Sequence, residues 1–239
     1  MVEPADPAAP RRENLRAELT AVTTRVYLVR HGSTVLAEDR FAGQTDAPLS
    51  DVGRAQARTL ARRLAAEPID AFYASPLSRT LETARLVGEP HGQDVVARAE
   101  LREISHGHWE EKTRREVESL YPEEYARWES DPFSFAPAGG ESGLAATARA
   151  LPALLEIVAS HPDGKVLVVS HKATIRLLVC ALMGVDARGY RERFDCRPAC
   201  LNVLDFGDAS HARLMLFNDT SHERSLETAT VLETRAGTE

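Results

Sequence analysis

Apolar residues along this chain fall into two patterns that alternate from one end to the other. Short continuous runs, Val26-Tyr27-Leu28-Val29, residues 69–74, residues 95–97 and Val166-Leu167-Val168-Val169, have the length and content of strands buried on both faces. Between them, apolar side chains recur at steps of three and four, the period of a helix with one buried face. Ser50 caps the first such helix, in which Val52, Ala57, Leu60, Ala61 and Leu64 lie mostly on one side. The second spans residues 76–87 and carries Leu77, Leu81, Ala84 and Val87, with Ser75 as its expected N-cap and Pro76 as its first helical residue. The cleanest spacing, Leu144, Ala148, Leu151, Leu155 and Val158, leads into the strand ending at Val169, and residues 173–183 are again helical. Residues 201–206 and 213–217 read as a hairpin closing one sheet edge. This order predicts an α/β fold with a mostly parallel central sheet and helices on both faces. Residues 113–130, with Tyr121, Tyr125 and Trp128, predict short helices forming a small helical cap, and the loop through Pro132, Pro137, Gly139 and Gly140 suits a hinge or lid.

In an open α/β sheet, ligands bind where the strands end. Arg30-His31-Gly32 follows the first strand and Ser170-His171 follows the last of the parallel runs, so two strands each deliver a histidine past their final buried residue. A third strand end leads to Arg79, placed in the first turn of a helix where amide N–H groups also favour an anion. The segment Leu101-Arg102-Glu103-Ile104-Ser105-His106-Gly107-His108-Trp109 adds a carboxylate. A histidine pair flanked by arginines suits phosphoryl transfer, in which one imidazole attacks phosphorus and cations hold the equatorial oxygens.

Composition narrows the field. The 239 residues, 43% hydrophobic, can bury one full core, and two independent domains are not expected. A formal charge of −7 argues against nucleic acid or an anionic membrane as partner, leaving local arginines to attract an anionic substrate. Cys180, Cys196 and Cys200 do not make a disulfide framework or a strong zinc pattern; buried thiols in a reducing compartment account for them. No stretch reaches membrane-spanning length, and the acidic, proline-rich start of the chain has no leader pattern, so a cytoplasmic location is expected. Residues 1–24 read as a tail with a short helical pattern over 14–22, residues 25–222 as the domain with its cap or lid at about 105–142, and residues 223–239 as a second tail. Asn218-Asp219-Thr220 fits a glycosylation pattern but reads as a turn.

Taken together, Arg30-His31-Gly32, Arg79, Glu103 and His171 resemble the motifs of the histidine phosphatase superfamily, with its phosphoglycerate mutase-like fold, in order and separation. The resemblance implies that His31 is the nucleophile and becomes a phosphohistidine, that Arg30, Arg79 and His171 surround the phosphoryl oxygens, and that Glu103 donates and later accepts a proton. Partial burial of Glu103 would favour its protonated form. It also implies substrate contacts from Gly32, Thr34, Gly43, His106 and Lys172, with no metal and no cofactor required. Within the superfamily, the stretches 103–109, 121–128 and 139–142 look like metal-independent phosphoserine phosphatases, in which the histidine matching His106 is implicated in binding the substrate carboxylate. Mutases carry a Trp-Asn pair where this chain has Leu36 and Ala37, Arg-His-Tyr where it has Ile104-Ser105-His106, and an arginine pair where it has about Glu129-Ser130. Glu129 is expected to repel a bisphosphate. The expectation is a phosphomonoesterase acting on a small phosphorylated metabolite, phosphoserine or a sugar phosphate among them. The alternatives are a phosphoglycerate mutase or bisphosphatase and a non-catalytic phosphate-binding regulatory protein. A homodimer is left open.

Overall fold

The computed structural model describes residues 23–36, 39–208 and 211–223. The expected helix over 14–22 and nearly all of both tails lie outside these residues. Six strands form one sheet in the order β3-β2-β4-β1-β5-β6. They are β1 (Thr24–Arg30), β2 (Ala71–Ala74), β3 (Val95–Ala97), β4 (Lys165–Ser170), β5 (Leu201–Asp208) and β6 (His211–Asp219). The first four are mutually parallel, and the β5–β6 hairpin adds antiparallel to β1, closing that side as the pattern predicts.

Helices α1 (Asp51–Leu64) and α2 (Ser78–Gly88) cover one face of the sheet, and α5 (Gly143–Ala159) and α6 (Lys172–Met183) cover the other. Alternation along β1 divides the core: Tyr27 and Val29 pack with Leu60, Leu64 and Val87, while Val26 and Leu28 pack with Leu154, Ile157 and Leu178. Each of these burials removes an aliphatic or aromatic side chain from water, worth about 1.5–3 kcal/mol. Ser50 caps α1, its side chain accepting from the Gly53 amide at 3.1 Å.

One expectation needs correction, the start of the second helix. Helix α2 begins at Ser78 with Leu77 at the cap position, and its first amide is satisfied by Asp46 Oδ1 at 2.7 Å. Ser75 Oγ keeps only a long contact with the Leu77 amide, 3.4 Å, and lies 2.8 Å from His171 Nε2. The loop bearing Gly139 and Gly140 meets the segment after Glu103: Glu141 N–H donates to the Ser105 carbonyl at 2.8 Å and His108 N–H to the Ala138 carbonyl at 3.2 Å. Gly107 allows that approach, since a Cβ there would collide with the Ala138 carbonyl.

Helices α3 (Arg114–Leu120) and α4 (Pro122–Ser130) form the predicted cap. A capping box between Thr113 and Glu116 starts α3, and Phe41, Trp109, Val117 and Trp128 give the cap a core of its own. No helix among the described residues is long and apolar enough to cross a membrane.

Candidate active site

Strand register sets the site. Arg30 on β1 pairs with Ser170 on β4, and Ala74 on β2 with Val169, so His31, His171 and Ser75 leave the sheet at one level. The His31 amide donates to the Ser170 carbonyl at 3.1 Å and the Ser75 amide to the Val169 carbonyl at 3.1 Å, which continues the parallel pairing to the edge of the cavity.

His31 is buried, and its Nδ1 lies 2.7 Å from the Gly32 carbonyl. A carbonyl only accepts, so Nδ1 carries the proton and Nε2 keeps its lone pair. Burial, followed by the nearby charges of Arg30 and Arg79, holds the imidazole well below its ordinary pKa. His171 lies edge-on, ring centroids 5.2 Å apart, and is fully buried. Arg79 Nε donates to His171 Nδ1 at 3.3 Å, which puts the His171 proton on Nε2, 2.8 Å from Ser75 Oγ. Burial, Arg79 and His31 keep this ring neutral as well.

The two arginines are held by backbone carbonyls. Arg79 donates through Nη1 to Thr45 at 2.7 Å and through Nη2 to Gly43 at 2.8 Å, while Arg30 donates through Nη1 to Cys196 at 2.7 Å. Cys196 and Cys200 are buried free thiols with sulfurs 3.5 Å apart, and Cys180 is likewise buried and free.

Glu103 is buried at the N-terminus of α6. Its Oε1 accepts from the amides of Ile104 and Thr174 and from Thr174 Oγ1, and its Oε2 accepts from the Ala173 amide, all within 3.0–3.2 Å. Arg149 fixes the backbone behind, donating to the carbonyls of Glu100, Arg102 and Glu103 and pairing with Glu141 at 2.8 Å.

Arg30, His31, Arg79 and Glu103 line one cavity of about 170 Å³, a volume for a small molecule. Thr34, Gly43, His106 and Lys172, expected as substrate contacts, line it too. Gly32 does not: its amide donates to Thr83 Oγ1 at 3.2 Å, and a side chain there would strike the Gly53 carbonyl of α1. His171 stands behind the wall, reaching the cavity through Arg79. His106 is neutral, pushed down to about 4 chiefly by burial, and its Nδ1 has no hydrogen-bond partner.

Sequence reasoning missed Arg40, Arg114, Arg176 and Arg191, which share the cavity wall with Trp128. Arg176 had a signal, for it lies four residues beyond Lys172 on a helix and so on the same face. Arg191 had none, because its place depends on how α7 (Tyr190–Arg193) meets the cap. It also meets Glu129, whose Oε1 accepts from Arg191 Nη2 at 2.7 Å. That pairing offsets part of the negative charge expected to repel a second phosphate.

Neutral imidazole, arginines and a buried carboxylate around one cavity at the strand ends define a phosphoryl-transfer enzyme of the α/β class. The chain belongs to the histidine phosphatase superfamily (branch 1), whose sequence profile matches residues 26–220. It is 35% identical to "Phosphoserine phosphatase 1" of Hydrogenobacter thermophilus over 199 residues, 83% of this chain and 93% of the relative. It is also 35% identical to "Probable phosphoglycerate mutase GpmB" of Yersinia enterocolitica over 191 residues, 77% of this chain and 86% of the relative. The solved structure of Bacillus stearothermophilus YhfR superposes with a TM-score of 0.79 at 31% identity, covering 83% of this chain and 98% of that one, which bears out the phosphoglycerate mutase-like fold.

Proposed function

We propose that this protein is a phosphomonoesterase that hydrolyses a small phosphorylated metabolite through a phosphohistidine on His31. The observation that carries the reading is the 2.7 Å contact of His31 Nδ1 with the Gly32 carbonyl, which leaves Nε2 unprotonated in a cavity shared with Arg30, Arg79 and Glu103. Nε2 attacks phosphorus, the N–P bond forms and the ester P–O bond breaks. Glu103 gives its proton to the departing alkoxide. The Glu103 carboxylate then takes a proton from water, whose oxygen bonds to phosphorus as the N–P bond breaks, and phosphate leaves with His31 neutral again.

Arg30 and Arg79 offset charge on the phosphoryl oxygens. His171, neutral with its proton on Nε2, accepts through Nδ1 from Arg79 Nε and so fixes the guanidinium that meets the phosphoryl group. Acidic net charge and free buried cysteines support a cytoplasmic enzyme without nucleic acid or membrane partners.

A rapid quench with radiolabelled ester is expected to trap an acid-labile, base-stable adduct, and His31→Ala to lose both adduct and turnover. Replacing Arg30 by Gln should lower kcat by on the order of 10²–10³-fold. Full activity in His31→Ala would exclude the mechanism. A phosphate-binding protein without catalysis would instead bind phosphate and hydrolyse no ester.

The mutase reading has one observation in its favour, the pairing of Glu129 with Arg191, which weakens the expected repulsion of a second phosphate. Against it stands Leu36 on the cavity wall, where mutases carry tryptophan. Stimulation by bisphosphoglycerate would establish that alternative. A panel of phosphorylated metabolites including phosphoserine and sugar phosphates, assayed with chelator present, identifies the substrate.

A further inference from the structure

We propose that Arg114 and Arg191, both over Trp128, form with Arg176 of the same cavity wall a second anion site, and that it takes a carboxylate of the molecule whose phosphate meets His31. This rests on the phosphatase reading and adds to it the residues that select the substrate.

Arg191 lies over the Trp128 ring with its guanidinium carbon 3.6 Å from the centroid, and Arg114 approaches the same ring to 5.6 Å from α3. Each gains from the indole face, yet two like charges are gathered at one aromatic ring, where an anion would relieve their repulsion. Arg191 Nη1 is buried without a hydrogen-bond partner, and so is Arg176 Nε. Arg176 is only 9% exposed, and its carboxylate neighbour, Asp195, stands 3.6 Å away with a side chain 63% exposed, a weak counter-ion for a buried cation. The Arg114 guanidinium has no hydrogen bond or ion pair among the described residues. Arg40, on the same wall, is already satisfied by the Glu111 carbonyl at 2.6 Å and by Glu116 at 3.5 Å.

Buried donors lacking acceptors are costly, and an incoming carboxylate offers two acceptor oxygens. Charge selects the kind of anion. Glu129 and Asp195 already neutralise part of the three guanidiniums, and what remains suits a monoanion better than a second phosphate dianion. His106, neutral and 6.4 Å from Trp128, can add a hydrogen bond but no charge, so the attraction must come from the arginines.

Two substrate pairs test the proposal. Phosphoethanolamine lacks only the carboxylate of phosphoserine, and glycerol 3-phosphate has a hydroxymethyl group where 3-phosphoglycerate has a carboxylate. In the unaltered protein, kcat/KM for the acid should exceed that of its twin by on the order of 30-fold in at least one pair, mainly through KM. In Arg114→Gln and in Arg191→Gln that ratio should fall toward one. Arg114 is exposed, so its replacement leaves the core intact. Ratios near one in both pairs would overturn the proposal, as would variants that slow both members equally and keep the ratio. Competitive binding of 2,3-bisphosphoglycerate far above either acid would overturn the carboxylate assignment. If no ester is hydrolysed and no phosphohistidine forms, the phosphatase reading falls and the proposal with it; hydrolysis of the twins and acids alike sinks the proposal alone.

Discussion

At the scale of single residues, the hydroxyl of Thr174 shows how the proton path is set. It donates to Glu103 Oε1 at 3.1 Å and lies 2.9 Å from the Arg102 carbonyl, so it aligns the carboxylate without touching substrate. Thr174→Val keeps the shape and removes that alignment. Turnover of an alkyl phosphate is expected to fall on the order of 10-fold, the worth of one hydrogen bond to a charged group. Turnover of p-nitrophenyl phosphate should fall much less, because its phenolate departs without a proton from Glu103. Because hydrolysis of the phosphohistidine also uses Glu103 and is common to both esters, kcat/KM, which reports phosphoenzyme formation, gives the comparison; equal losses there would assign Thr174 a merely structural role. Glu103→Gln should show the same asymmetry more strongly, by on the order of 10²–10⁴ for the alkyl ester.

At the scale of elements, the nucleophile loop is locked against the first turn of α1. Ser50 Oγ donates to the Ser33 carbonyl at 3.2 Å, and Gly53 packs so closely on Ser33 that an added Cβ would collide with its carbonyl. Gly53→Ala is therefore expected to destabilise by about 1–3 kcal/mol, as overpacking does, and to displace the segment carrying His31. Gly88→Ala, whose Cβ meets only the Phe72 ring at 3.4 Å, should change stability by less than about 1 kcal/mol. Thermal unfolding and kcat measured on both variants separate the two cases; equal behaviour would mean the lock is slack. The lock is also where legibility ends. Strand runs, helix faces and the Ser50 cap could be read from the chain because apolar period and capping chemistry are local. The common level of His31 and His171 followed from two strands ending in the same way. Ser75 reads as a cap from its neighbours, yet a histidine from β4 claims its hydroxyl, and Asp46 serves the helix instead. Gly32 reads as a substrate contact, yet α1 leaves it no room for a side chain. Arg191 and Glu129 belong to different elements, and no local pattern announces that they meet.

At the scale of the whole molecule, an acidic chain encloses a cationic cavity with neutral histidines at its base, and the histidines tie stability to pH. Burial holds His31 and His171 well below 6.5 and pushes His106 down to about 4. In the unfolded chain all three titrate near their ordinary value of about 6.5. Above that pH neither state binds these protons and the histidines contribute nothing to the balance. As pH falls below it, the unfolded chain takes up protons that the folded one refuses, so stability is lost, with a slope approaching about 1.4 kcal/mol per pH unit for each histidine. The carboxylates whose pKa the fold depresses, Glu141 and Asp219 among them, lose their contribution only below the ordinary range of 4.5 and 3.8, so the window from about 6.5 to 4.5 belongs to the histidines. Urea unfolding midpoints between pH 7 and pH 5 should fall steadily, and His106→Asn should lower the slope by one proton's worth. Inorganic phosphate should flatten the fall, because a bound anion makes protonation of His31 and His171 less unfavourable in the folded state. Midpoints that hold constant across this window would mean that these rings are reached by water and already charged.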